Sequence, residues 1–172
     1  MKNALNQQKG FTIIELVVVM VVIGVLSAVA LPRLFDLAGQ ARQSAVISIT
    51  SSLKTAGELA HTQWIAAGQP TSISVGDTVF FTGTQGYPLN VTVAASPAGL
   101  TSVVAQDCID LWNALLKNPP IASADTDCLA LNTCKFKVTV ASNTCTFTDK
   151  GNNEITYDTT NGNVTSTVDT VY

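Results

Sequence analysis

Residues 11–31 read FTIIELVVVMVVIGVLSAVAL, with Lys9-Gly10 directly in front and Pro32 directly behind. Apart from Thr12, Glu15 and Ser27, each of these 21 residues is apolar or small. As a helix the stretch would run about 31 Å, one hydrocarbon thickness, so it is long enough to span a bilayer. Glu15 is the anomaly, because a carboxylate in lipid costs roughly 2.5–3.5 kcal/mol even on lenient insertion scales. The chemistry leaves two readings. Glu15 either lies shallow in the first turn, where the helix dipole and interfacial water tolerate it, or it meets a cationic partner. Cleavage after Gly10 would create one, the α-amine of Phe11, four residues away. Within one helix or between neighbouring helices, that amine could neutralise the acid in an apolar bundle.

Outward from this stretch, the 172-residue chain has room for one soluble head of ordinary size. The formal charge is −3, and loss of Lys2 and Lys9 with the leader takes it to −5. That argues against nucleic-acid binding through general basicity. The leader MKNALNQQKG has two lysines and no apolar core, unlike a secretory signal whose apolar region is removed. Lysines before the span and Arg33 and Arg42 after it leave orientation open by charge count. The four cysteines, at 108, 128, 134 and 145, favour disulfides and hence a head outside the cytosol, with the leader cytoplasmic.

Beyond Pro32 the pattern turns amphipathic. Leu34, Ala38, Ala41, Ala45, Ile49, Ser52 or Leu53, Ala56, Ala60 and Trp64 recur at steps of three and four, opposite Arg42, Gln43, Lys54, Glu58 and Gln63. This predicts one helix from Phe11 to about Ala67, stopped by Gly68 and Pro70, with Gly24 and Pro32 as places to kink. Short strands are expected at 72–75, 78–82 and 90–94, separated by turns at Gly76-Asp77, Gly83 and Gly86-Tyr87-Pro88. Gln106 to Lys117 reads as a helix capped by Asp107, with Cys108, Trp112 and Leu115 on one face and Asn118-Pro119-Pro120 ending it.

The distal third alternates as strands do. Cys134, Phe136, Val138 and Val140 alternate with Lys135, Lys137 and Thr139, and a Ser142-Asn143 turn would set Cys145 opposite Val140 and Phe147 opposite Val138. A second hairpin runs through Ile155 and Tyr157, turns at Asn161-Gly162 in type I′ geometry, and returns through Val164, Ser166 and Val168. About four antiparallel strands are expected, their inner face covering the second half of the long helix. The class is α+β. In that register Cys145 lies six residues along the ladder from Cys134, on the order of 20 Å, beyond the ~7 Å Cα limit for a bridge. Two connectivities survive. The preferred one joins Cys108 to Cys145, tying the short helix to the sheet, and Cys128 to Cys134, closing a small loop.

The chain carries no G-x-S-x-G, H-E-x-x-H, Walker or Rossmann pattern, so no catalytic residue and no cofactor is assigned. No C-x-x-C occurs, and His61, the one histidine, sits on the helix near Glu58 as a surface or packing residue, so no metal site is assigned. Asp125 with Asp127, or Asp149 with Glu154, do not reproduce an EF-hand spacing. Sequons occur at Asn90-Val91-Thr92 and Asn163-Val164-Thr165.

The run Lys9-Gly10-Phe11-Thr12-Ile13-Ile14-Glu15-Leu16 resembles the processing site of type IV pilins and secretion pseudopilins: a short basic leader, a Gly before the cut, a Phe after it and a Glu four positions on. Gly86-Tyr87-Pro88, Asp107 to Trp112, Asn118-Pro119-Pro120 and Ile155 to Asp158 with Asn161-Gly162 look like the mannose-sensitive haemagglutinin branch. The resemblance implies a pilin fold, with a long amino-terminal helix on a carboxy-terminal antiparallel sheet. It divides the chain into a leader (1–10), a transmembrane or fibre-core helix (11–32) and an extracytoplasmic head (33–172). It implies that a prepilin peptidase cuts between Gly10 and Phe11 and N-methylates Phe11, and that Glu15 pairs with the Phe11 amine of an adjacent subunit. Implied partners are further copies in a helical filament, an inner-membrane platform with its ATPase, and a surface glycan as candidate receptor. The function implied is a non-enzymatic fibre subunit for attachment and biofilm formation, held in the inner membrane before assembly and extracellular afterwards. A minor pilin or secretion pseudopilin, and a membrane-anchored binding module, are the rival expectations.

Overall fold

The computed structural model describes residues 11–75, 78–82, 85–91 and 103–169. The leader, the turns at Gly76-Asp77 and Gly83, residues 92–94 of the third expected strand and Thr92 of the first sequon lie outside them. Two compact units divide the chain, Met1–Gln40 and Ala41–Tyr172.

Helix α1 is assigned over Ile13–Ala66. In the first unit its apolar side chains are exposed all round, from Ile13 to Leu31. Its end in the second unit follows from left-handed residues: Gly68 (φ 82°) and Gln69 (φ 60°) turn the chain, and the Gln69 N–H reaches back to the Trp64 carbonyl at 3.0 Å.

Within the second unit, α1 contributes Val46, Leu53, Gly57, Ala60 and Trp64 to the core. Of the expected stripe, Leu53, Ala60 and Trp64 are buried, Ile49 and Ala56 half-buried, and Ala41 and Ala45 exposed, with Val46 inside in place of Ala45; the side chains of Leu34 and Ala38 lie outside the described residues. Steps of three and four are compatible with neighbouring phases, and the head selects the one that buries the larger side chains. Gln43, expected on the polar side, is half-buried, and its Nε2 donates to the Asp169 carbonyl at 2.7 Å.

Strands β1 (Ser72–Val75), β2 (Thr78–Thr82) and β3 (Pro88–Asn90) form a three-stranded antiparallel sheet. Helix α2 spans Ala105–Leu115, and its N-cap is Val104, not Asp107. Asp107 sits three residues in and accepts the Val104 N–H at 2.9 Å, so it serves the first turn from inside the helix. Cys108, Leu111 and Trp112 are buried, while Leu115 is only half-buried.

A second sheet runs in the order β4 (Ala122–Ser123), β5 (Phe136–Ala141), β6 (Thr144–Asp149), β7 (Glu154–Asp158), β8 (Val164–Thr167). The last four strands are the antiparallel meander, in the expected register: Val140 opposes Cys145 and Val138 opposes Phe147. The two-residue edge β4 pairs parallel to β5, which its short, Pro-preceded sequence does not announce.

The β7–β8 connection departs from the expected type I′ turn. Val164 pairs with Tyr157, so five loop residues connect the paired positions beyond Asp158. The Asp158 carboxylate accepts the Thr160 N–H and Asn161 Nδ2 at 2.8 Å each, and its carbonyl accepts the Gly162 N–H at 2.8 Å. Only Gly162 of the Asn-Gly pair has positive φ, because Asp158 organises the loop locally.

One core joins these layers. Trp112 stacks on Phe147 with centroids 4.3 Å apart and tilts against Phe136 at 5.2 Å. Cys108 is bonded to Cys145, linking α2 to β6, and Cys128 is bonded to Cys134 across a separation of 6 residues. His61 packs on aromatic rings, not on Glu58: its ring lies parallel to Tyr87, 4.2 Å between centroids, and 5.6 Å from Trp64.

Candidate functional site at the start of the long helix

Phe11 and Thr12 precede the helix, and Phe11 is 92% exposed. Thr12 is the cap. Its N–H and hydroxyl each donate to Glu15 Oε2 at 2.9 Å, and the Glu15 N–H donates back to Thr12 Oγ1 at 3.3 Å. The Leu16 N–H then reaches the Thr12 carbonyl at 3.3 Å. This reciprocal pattern is the T-x-x-E capping box, which satisfies amides that an α-helix start leaves without partners.

The consequence for Glu15 is chemical. Its carboxylate is held at the positive end of the helix, beside the Phe11 main chain, by two donors of its own subunit. Thr12 is the residue that sequence reading passed over as one polar exception, and the T-x-x-E signature was available to find it. Gly10 lies outside the described residues.

From Ile13 to Leu31 the helix is long and apolar enough to cross a membrane. It therefore presents a continuous apolar surface with one acid at its head. The four cysteines are all engaged in the second unit and take no part here. Among the described residues, no group of three or more His, Cys, Asp or Glu side chains is placed to hold a metal ion.

Residues 5–31 match the family model described as the prokaryotic N-terminal methylation motif. The chain is similar to the type IV narrow pilus major component PilA5 of Thermus thermophilus, 46% identical over 63 residues, covering 37% of this chain and 53% of that protein. A fimbrial protein of Pseudomonas aeruginosa is 43% identical over 56 residues, 33% of this chain and 36% of that one. The type IV major fimbrial protein FimA of Dichelobacter nodosus is 34% identical over 98 residues, 55% of this chain and 60% of that one. The chain thus spans between about a third and three-fifths of the length of these relatives. No solved structure matches. With a methylation motif on the capped, acid-bearing helix and fimbrial proteins as relatives, the findings support the type IV pilin family for this chain.

Proposed function

We propose that the chain is the structural subunit of a type IV pilus, of the mannose-sensitive haemagglutinin branch, which polymerises into surface fibres for attachment and biofilm formation. The observation that carries this reading is the pairing of a fully exposed apolar helix with a single acid held at its start. Such a surface needs lipid before assembly and other helices after it. In this account a prepilin peptidase cuts between Gly10 and Phe11 and methylates the new amine. Residues 11–32 then hold the subunit in the inner membrane and residues 33–172 form the head outside.

An assembly ATPase and an inner-membrane platform extract the subunit into a helical bundle. There the Glu15 carboxylate exchanges its neutral Thr12 donors for the Phe11 ammonium of a neighbour, so that the contact becomes an ion pair with charge on both partners. Burial of the apolar helix among its copies supplies cohesion. The Cys108–Cys145 and Cys128–Cys134 bonds brace the head in an oxidising compartment.

The test is the mass of the mature amino terminus together with electron microscopy of sheared surface filaments. The reading expects N-methylated Phe11 as the first residue and this chain as the main filament component. An intact Met1 on a protein that never polymerises would overturn it in favour of an anchored binding module, and a minor share of the filament mass would favour a minor pilin or pseudopilin.

A further inference from the structure

Asn161-Gly162 is the chain's one Asn-Gly dipeptide. In an unfolded chain such a pair modifies itself. The Gly162 nitrogen attacks Cγ of Asn161, a C–N bond forms, ammonia leaves with the proton of the attacking amide, and water opens the cyclic imide to an aspartate or an isoaspartate. Glycine makes the attack quick, because no side chain shields its nitrogen. In the folded head, every atom this reaction needs is already engaged. The nucleophile, the Gly162 N–H, donates to the Asp158 carbonyl at 2.8 Å. The leaving group, Asn161 Nδ2, donates to Asp158 Oδ2 at 2.8 Å. Asn161 Oδ1 accepts the Asn163 N–H at 2.8 Å, which aims the side-chain carbonyl at the amide one residue beyond the one that would attack. Gly162 itself is buried, with no room for a Cβ against the Tyr87 ring, although Asn161 is exposed to water.

We propose that Asn161-Gly162 is a latent self-modification site and that Asp158 is the positioning residue that holds it closed. Asp158 supplies three acceptors to the loop: its carbonyl to Gly162, Oδ2 to Asn161, and Oδ1 to the Thr160 N–H at 2.8 Å. Its own N–H donates to the Asn163 carbonyl at 3.0 Å and closes the loop from the other side. For the ring to form, the Asn161 side chain must leave Oδ2 and the Asn163 N–H, and the Gly162 N–H must leave the Asp158 carbonyl. The reaction therefore runs only from a locally opened loop, and its rate falls with the fraction of time the loop is open. The product does not fit back. An acid at position 161 would set a second carboxylate against Asp158 where an amide had donated. An isoaspartate would add a main-chain carbon beside Gly162, where the Tyr87 ring leaves no space. Tyr87 stacks on His61 of α1, so the modification would loosen the β7–β8 loop from the helix as well.

The experiment is prolonged incubation of the purified full chain in mild detergent at mildly alkaline pH, with mass-spectrometric fragmentation locating each amide converted to an acid. The reference is the same chain, reduced and held unfolded in denaturant. Folded wild type should convert Asn161 at least about tenfold more slowly than the unfolded chain. Asp158→Ala, which removes both carboxylate acceptors and keeps the carbonyl, should raise the folded-state rate at least about fivefold. Asp158→Asn, which keeps the size and one acceptor oxygen, should fall between it and wild type, and serves in its place should the alanine variant not fold. Asn161→Gln, whose longer side chain does not close the five-membered ring, should silence the signal at that position. Unchanged circular dichroism and melting, with both disulfides intact by mass, separate local release of the loop from general unfolding. Equal rates in folded and unfolded wild type, or a wild-type rate in the folded Asp158 variants, would overturn the proposal. Because conversion is read on unassembled subunits, its outcome is independent of whether the chain builds fibres.

Discussion

The hydroxyl of Tyr157, on β7, donates to the carbonyl of Pro88, on β3, at 2.9 Å, so one buried phenol joins the two sheets of the head. Its ring also lies against Gly57 of α1. Burial, with Tyr87 and Asp158 adding to it, pushes the phenol's pKa up from the ordinary value. The folded state therefore favours the protonated form. The stability this contributes is fully present below the unfolded pKa of about 10 and is lost as pH rises above it, by roughly 1.4 kcal/mol per pH unit. Denaturant midpoints should hold from pH 8 to about 10 and fall along that slope from there to about pH 12. Tyr157→Phe should lower stability by about 1 kcal/mol at neutral pH through the lost hydrogen bond, and should flatten the alkaline fall.

Glycine is required where aromatic rings touch the main chain. A Cβ on Gly162 would sit 2.0 Å from the Tyr87 ring, and one on Gly86 would sit 2.1 Å from Trp64; both have positive φ. Tyr87 in turn stacks on His61. Gly162→Ala should therefore cost about 2–5 kcal/mol, strain and overpacking together, read as a lower denaturation midpoint of the processed chain. Loss of under 0.5 kcal/mol would show that the ring moves aside freely.

The two disulfides should differ in weight. The Cys108–Cys145 bond spans 37 residues and ties α2 to the sheet, whereas Cys128–Cys134 spans 6. Loop entropy gives about 4 kcal/mol for the first and about 2 for the second. Replacing Cys108 and Cys145 by Ala should lower stability by the larger amount, and the Cys128, Cys134 pair by the smaller, on the same denaturation curve.

Glu15 has two duties that substitution can separate. Glu15→Gln keeps an acceptor for the Thr12 donors but loses the charge, while Glu15→Ala loses both. If pairing with an ammonium is the assembly role, both variants should reduce sheared fibres at least tenfold, because an unpaired buried charge costs about 3–5 kcal/mol. Normal fibre yield from Glu15→Gln would show that capping alone was its part.

The expected register of β5 and β6 is present because period-two alternation and a short turn leave one way to bury Phe136, Val138, Cys145 and Phe147 together. The α1 stripe was harder to read, since alanine and serine runs fit several phases and only the facing sheet chooses among them. Asp107 was misplaced for a related reason: an acid three residues into a helix and an acid at its cap look alike in one dimension. The parallel edge β4 rests on two residues, too few for any pattern to register.

By itself, the sequence determined the apolar segment, its lone acid, the meander and the exclusion of a Cys134–Cys145 bridge, because these follow from local period and chain reach. Tertiary structure alone decided that Tyr157 bonds to Pro88 across 69 positions, and that threonines of four strands fall into one rung. The physical reason is that such contacts depend on the phase, register and facing of elements far apart in the chain, and burial sets those collectively rather than residue by residue.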